Sequence, residues 1–357
     1  MKRLPLAALI TAFFLFLVLE VSIRQAALFL IGIGMGATLA GMRFGFTTGW
    51  RLLVTERDPR GVFGQLVLLA LAAALALPLL GRFPELQAAL GPPGVSLLVG
   101  AFVFGLTMQI ADGCGSGTLY KAGFGVPLNM GILPLFAFGS FLGSAHLDRW
   151  LAFGHVEPVS LVERSGVGGA LAMTLALLGV LAVLVRGWVG AGRPWFDRRC
   201  LWGAFALGVL ATLNLVIAGQ PWGVVYGFGL WVAKGAAASG LWDPALNAFW
   251  SQPGNAARLS QTLLMDITSI TNIGILAGAL WIAARSPEAG RPLSAGQWAI
   301  GLLAGFLLGY SSRLAFGCNV GAMLSGISTG SLHGWIWLPL AFAGTIIGIG
   351  LRKRLGF

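Results

Sequence analysis

The chain has 357 residues, of which 57% are hydrophobic and only 10% charged. A soluble domain carries about 25% charged residues, so this composition, with a mean hydropathy of +0.85, excludes a soluble globular protein and predicts an integral membrane protein. The formal charge of +11 sits on residues flanking apolar runs, with no basic face interleaved by aromatics, which argues against a nucleic-acid partner.

Apolar runs long enough to cross a bilayer follow one another along the chain. The first covers Leu4–Ser22. Lys2 and Arg3 precede it as they would a signal peptide, but it is long for such a segment and lacks a small-residue cleavage pattern around Val18–Val21. It therefore reads as a transmembrane helix, residues 1–25. The next runs are Ala26–Met42, Val62–Leu80, Val95–Ala111, Met130–Leu147 and Gly168–Val185. After them come Leu201–Gly219, Leu263–Ala284, Trp298–Leu314 and Trp335–Leu351. The expected fold is an all-α polytopic membrane protein of roughly ten transmembrane helices.

Basic residues cluster in alternate connections. Arg51, Arg57 and Arg60; Arg186, Arg193, Arg198 and Arg199; Arg285 and Arg291; and Arg352, Lys353 and Arg354 mark the richer ones. Arg24, Arg82, Arg149, Arg164 and Arg258 fall in the poorer ones. Cytoplasmic loops hold the Lys/Arg excess, so both termini are expected in the cytoplasm.

The broken segments carry the functional signal. Gly105 is followed nine positions later by Cys114, and Gly309 nine positions later by Cys318. Each cysteine lies between glycines, Gly113 and Gly117 in one case and Gly317 and Gly321 in the other, with Gly115 and Asn319 directly after the thiols. The same offset joins Gly36 to Gly45, where glycine stands in place of cysteine. Four residues before each anchoring glycine sits Gly32, Ala101 or Gly305, a small-xxx-small spacing that lets membrane helices approach closely. A degenerate fourth copy around Gly208 and Gln220–Gly223 lacks the spacing. These copies predict short re-entrant helices or loops and two repeat halves, residues 26–185 and 201–357, joined by a basic cytoplasmic linker at 186–200. Transporters commonly arise from such repeats, with the site at their interface.

Irregular backbone survives at membrane depth only where protein buries it or a cavity adjoins it. A helix restarted after such a break points free N–H groups into it, and an anion can use them. A thiol adds a weak donor and a soft, polarizable acceptor, which suits a sulfur-containing anion better than a hard one such as phosphate. Conduction needs binding weak enough to release and spread over several sites, and two thiols in series meet that need. The bland reading of each cysteine is a small packing residue. Cys200, beside Arg198 and Arg199, has no glycine context and reads that way or as interfacial.

Other polar residues keep two readings. Lys121 is either a cation at one mouth of a path or a side chain snorkelling to the interface, and Arg51 is equally ambiguous. Arg43 and Arg313 just precede breaks, where buried charge marks a path or a partner; Asp112 reads as their counter-ion or as a helix-end residue. Asp266 and Lys234 read more readily as surface groups than as intramembrane charges. Asn319 and Thr118 read as donors or acceptors within the breaks, and Ser325, Ser328 and Thr329 either do the same or bond back to their own helices. No cofactor is expected: there is no CxxC motif, no nucleotide-binding GxxxxGK[ST] loop and no metal-ligand spacing among His146, His155 and His333.

At Arg43–Arg51, Asp112–Gly123 and Phe316–Ala322, running on to His333–Trp335, the chain resembles the YeeE/YedE family of bacterial inner-membrane proteins. The resemblance implies many helices with pseudo-twofold repeats and a central constriction where thiols pass thiosulfate inward by transient hydrogen bonds. It places two of the family's thiols at Cys114 and Cys318, while Gly45 stands where thiosulfate-transporting relatives have the third. It also implies a related sulfur or selenium species as an alternative substrate and a soluble TusA-type sulfur carrier as partner. Beside the permease reading stand two others, a membrane thiol oxidoreductase using Cys114 and Cys318, and a membrane scaffold for a sulfur-carrier protein.

Overall fold

A computed structural model describes residues 3–190, 192–285 and 292–357. Lys2, named above beside the first apolar run, and Arg291, used above for sidedness, lie outside them. The described residues are helical, with two isolated β-bridges, Gly94–His155 and Ser160–Ser331, tying loops at one end of the bundle. In chain order the helices are α1 (Arg3–Phe16), α2 (Ile23–Gly41), α3 (Phe46–Glu56), α4 (Arg60–Arg82), α5 (Val95–Ile110) and α6 (Gly115–Phe124). Then come α7 (Pro127–Ala145), α8 (Leu147–Leu151), α9 (Leu161–Val189), α10 (Arg198–Ala218), α11 (Val225–Ala238) and α12 (Pro253–Ser260). The chain ends with α13 (Ile267–Ala283), α14 (Ala295–Leu314), α15 (Gly326–Ser328) and α16 (Leu332–Arg354), with a π-helical turn at Asn319–Ser325. Among the described residues nine helical segments are long and apolar enough to span a membrane, and the apolar 17-residue helix Ile267–Ala283 makes a shorter tenth. This is a polytopic membrane protein.

Four segments share one plan: a long helix, a break, a short helix and a second long helix. They are α2–α3–α4, α5–α6–α7, α10–α11–α13 and α14–α15–α16. Extensive packing joins α2 to α13, α7 to α14 and α5 to α16, and α10 packs on α4. Each pair sets the first helix of one segment against the last helix of another.

Glycine makes these contacts close. A Cβ at Gly36 would collide with the Ile275 carbonyl, one at Gly105 with the Ala341 carbonyl, and one at Gly309 with the Phe136 carbonyl. The anchoring glycines are thus the points where two helix backbones touch. Lipid tails give no hydrophobic gain on helix association, so this dispersion contact is what holds the pairs.

The paired helices run parallel. Phe29 and Ile33 of α2 face Gly274 and Gly278 of α13, and Phe102 and Leu106 of α5 face Gly344 and Gly348 of α16. By contrast α10 runs against α2, since Gly34 meets Leu210 and Gly203 meets Met42. Likewise α14 runs against α5, with the Ser96 hydroxyl donating to the Leu314 carbonyl at 2.8 Å. The leading helices α2 and α5 therefore point opposite to the leading helices α10 and α14. Such exchange of direction is compatible with the two halves expected from the sequence. Outside this core, α1 and α9 are mostly exposed and carry large apolar side chains such as Leu9, Leu19, Val183 and Leu184, as lipid-facing helices should.

The candidate ion path

Three breaks share one backbone turn. Arg43, Asp112 and Phe316 take left-handed conformations, with φ of 52°, 55° and 56°. The next amide closes an i→i−5 bond in each case: Phe44 to Leu39 at 3.1 Å, Gly113 to Met108 at 3.1 Å and Gly317 to Ser312 at 2.8 Å. This is the Schellman closure of a helix C-terminus. The following residue is extended and starts the short segment: Gly45 (φ −116°), Cys114 (φ −80°) and Cys318 (φ −101°). A left-handed non-glycine residue costs roughly 1–2 kcal/mol, so three of them at matched positions mark backbone that the surrounding packing imposes. The degenerate fourth break differs. It turns at Gly219 (φ 69°) and restarts only at Val225, whereas Gly208 is a packing contact on Leu71.

Two breaks need glycine before the thiol. A Cβ at Gly113 would lie 2.8 Å from the Thr118 nitrogen, and one at Gly317, whose φ is 150°, would lie 2.5 Å from the Ala322 nitrogen. The short segment folds back onto the turn, leaving no room for a side chain. At the first break the bulk is reversed, with buried Phe44 preceding Gly45.

The two thiols converge on the amino end of α6. Cys114 caps that helix, its sulfur accepting from the Gly117 amide at 3.4 Å and lying 3.4 Å from the Ser116 hydroxyl. The Cys318 sulfur stands 3.0 Å from where a Cβ on Gly115 would be. Gly115 thus has a reason beyond helix breaking: any side chain there would displace Cys318. A Cβ at Gly321 would meet nothing within 4 Å, and at Gly117 only the Cys114 sulfur at 3.5 Å, so open space adjoins both thiols.

Uncommitted polar atoms surround the pair. The Thr118 hydroxyl and both side-chain amide atoms of Asn319 are buried and make no hydrogen bond within the protein. Leaving a buried polar group unpaired costs roughly 1–3 kcal/mol, so these groups flanking the two thiols in the chain are held there at a cost to folding.

Gly45 and Cys114 line one narrow cleft together with Gly113, Gly117, Tyr120 and Lys121. It offers about 10 Å³ to the centre of a water molecule, which is room for about one. A second cleft of the same size lies between Trp222, Thr212, Ser325 and Ser328. Cys318 lines neither. Its sulfur packs against Gly115. The structure therefore brings Gly45, Gly113, Cys114, Gly117 and Lys121 into one cleft, sets Cys318 against Gly115, and leaves Gly317, Asn319 and Gly321 outside the lining of that cleft.

The charges fall differently from the sequence reading. Asp112 is not the counter-ion of Arg313, which lies at the other end of the bundle. It binds Arg51 at 2.8 Å, Lys121 at 2.6 Å and Arg352 at 3.5 Å. Lys121 also donates to the Asp112 carbonyl at 2.5 Å, which resolves its two readings toward a cation beside the cleft. Arg43 is exposed. Arg313 donates to the Ser144 hydroxyl at 2.7 Å and lies over Tyr226 and Phe249 at the other end of the bundle. Asp266 is buried rather than on the surface, because its carboxylate caps α13, accepting from the Ser269 amide at 2.7 Å and hydroxyl at 2.6 Å. Lys234 is held by the carbonyls of Leu259 and Gln261. Ser325 donates to the Trp222 carbonyl at 2.7 Å, whereas Thr329 bonds back to Ser325. Cys200 packs on Gly64, its sulfur 3.2 Å from a Cβ placed there.

Nothing in the local pattern around Arg352 points to this cluster. It belongs to a run, Arg352–Arg354, that charge topology explains by itself; only the helical phase turns it inward while Lys353 and Arg354 stay exposed.

Known proteins align with this chain over most of its length. A thiosulfate transporter TsuA of Spirochaeta thermophila is 25% identical over 333 residues, covering 86% of this chain and 92% of that protein. The Escherichia coli K12 protein of the same name is 23% identical over 346 residues, covering 87% and 89%. The model of the Sulphur transport family matches residues 41–347, from just before the first break to the last helix. With that match spanning all the broken segments, the chain belongs to the Sulphur transport family, the YeeE/YedE group that its Gly-Cys segments resemble.

Proposed function

We propose that the protein is a permease for a small sulfur-containing anion, thiosulfate or a related sulfur or selenium species, relayed between Cys114 and Cys318 by thiol hydrogen bonds without covalent chemistry. The observation that carries this reading is the convergence of both thiols on the amino end of α6. Free N–H groups there favour negative charge, the sulfurs offer soft contacts, and the cleft is too narrow for a hydrated ion. An anion entering it exchanges water for Ser116, Gly117, Thr118 and Asn319 donors. The transport names of the family and of both relatives support the same reading.

The proposed setting is the bacterial inner membrane with both termini cytoplasmic, which puts the Asp112 cluster on the cytoplasmic side. A TusA-type sulfur carrier is the proposed recipient there. The adjacency of two thiols also favours a second reading, a membrane thiol oxidoreductase. One experiment separates them: uptake of labelled thiosulfate by a strain lacking other sulfur importers. Cys114→Ser, which keeps a hydroxyl donor, is expected to lower uptake by about tenfold, and Cys114→Ala further. Unaltered uptake in both variants would overturn the relay. Growth failure of the wild type on every sulfur source tested would overturn transport. Abolition by serine as complete as by alanine would favour the redox reading.

A further inference from the structure

Asp112 stands between two spaces. It lines the narrow cleft that holds Gly45 and Cys114, and it lines a wider cavity bounded by Leu128, Asn129, Trp298 and Arg352 at the same end of the bundle. Lys121 lines the first space and Arg352 the second, and Asp112 engages both of these cations and Arg51. Among the described residues these cations have no other carboxylate. One carboxylate against three cations leaves the cluster with a net charge of about +2, partly withdrawn from water and so weakly screened.

We propose that Arg51, Lys121 and Arg352 form a second anion-binding station, separate from the thiols, that takes tetrahedral divalent oxyanions by charge, and that Asp112 is its tethered resident competitor. The chemistry differs from that of the thiols. Guanidinium and ammonium groups recognise oxygen-borne charge and planar or tetrahedral oxyanion edges, so this station does not discriminate sulfur from oxygen. Three bare cations would hold a divalent anion too firmly for release, and conduction requires weak exit. A carboxylate fixed in place by its own left-handed backbone, with Lys121 bonded to its carbonyl as well, reoccupies the cations as the ion departs. Asp112 cannot diffuse away, so it competes at high effective concentration. The placement of this station in a transport cycle rests on the permease reading; its existence as an anion site does not.

The test uses sulfate, which the soft thiol site has no reason to prefer. Sulfate is titrated into the full-length protein in detergent at low ionic strength and followed by calorimetry, with chloride at matched ionic strength as control. Asp112→Asn is expected to bind sulfate about tenfold or more tightly than wild type, and Asp112→Asn combined with Lys121→Gln to lose that gain. The same Asp112→Asn variant is expected to take up thiosulfate more slowly because release is retarded. Sulfate affinity unchanged in a monodisperse Asp112→Asn protein overturns the station. Should that variant not yield monodisperse protein, the sulfate-induced rise in melting temperature of wild type is compared with that of Arg352→Gln. The rise is expected to shrink, and an equal rise overturns the proposal. A wild type that neither binds nor transports thiosulfate, alongside a sulfate gain in Asp112→Asn, refutes the permease reading while leaving this site standing.

Discussion

The Arg43–Gly45 break and the Asp112–Cys114 break have the same backbone and different chemistry. Both end a helix with a left-handed residue, close an i→i−5 bond of 3.1 Å and restart from an extended residue. Both border one cleft. One presents a thiol, the other a bare glycine beside a buried phenylalanine. The turn is therefore a property of helix termination and of the close glycine contacts behind it. Cysteine contributes nothing to making it. The thiol is an addition at a position whose geometry is already fixed, so glycine at position 45 keeps the same scaffold without it.

That contrast is broken most severely by attacking the turn itself. Gly317→Ala places a Cβ 2.5 Å from the Ala322 nitrogen at a φ of 150°, a combined clash and strain of about 3 kcal/mol or more. A lowered melting temperature in detergent and loss of thiosulfate uptake are expected. Retention of both would mean that the third turn relaxes and that its left-handed geometry is incidental.

Gly45→Cys sharpens the comparison at smaller cost. A Cβ there first meets the Thr48 hydroxyl at 3.3 Å, and the residue's φ of −116° suits any side chain, so folding is expected to be unaffected. A second thiol in the cleft, beside Cys114, should raise thiosulfate uptake by about two- to fivefold, the equivalent of one modest hydrogen bond. No change would place position 45 outside the ion's route. The smallest effect belongs to Cys200→Ala. Its sulfur packs on Gly64 away from the breaks, and a stability change within about 0.5 kcal/mol with unchanged uptake is expected.

Much of the helical plan was legible because lipid imposes one rule: a spanning segment must satisfy its own backbone and show apolar side chains. The glycine offset was legible too, since small residues mark helix contacts. Which partner each glycine meets was not. Gly36 touches α13, Gly105 touches α16 and Gly309 touches α7, and no local pattern encodes these pairings. Asp266 was misread because a capping carboxylate and a surface carboxylate look alike until the following helix is seen to be buried.

By itself the sequence determined membrane residence, the succession of apolar helices and the two Gly-Cys breaks, because solvent transfer and backbone sterics act on neighbouring residues. Only the tertiary structure decided that Cys114 and Cys318, 204 positions apart in the chain, share one helix terminus, and that Asp112 gathers Arg51, Lys121 and Arg352. Those juxtapositions depend on which helices pack in parallel and at what phase. Hydropathy is nearly blind to that choice, because every helix in the core offers its neighbours much the same apolar surface.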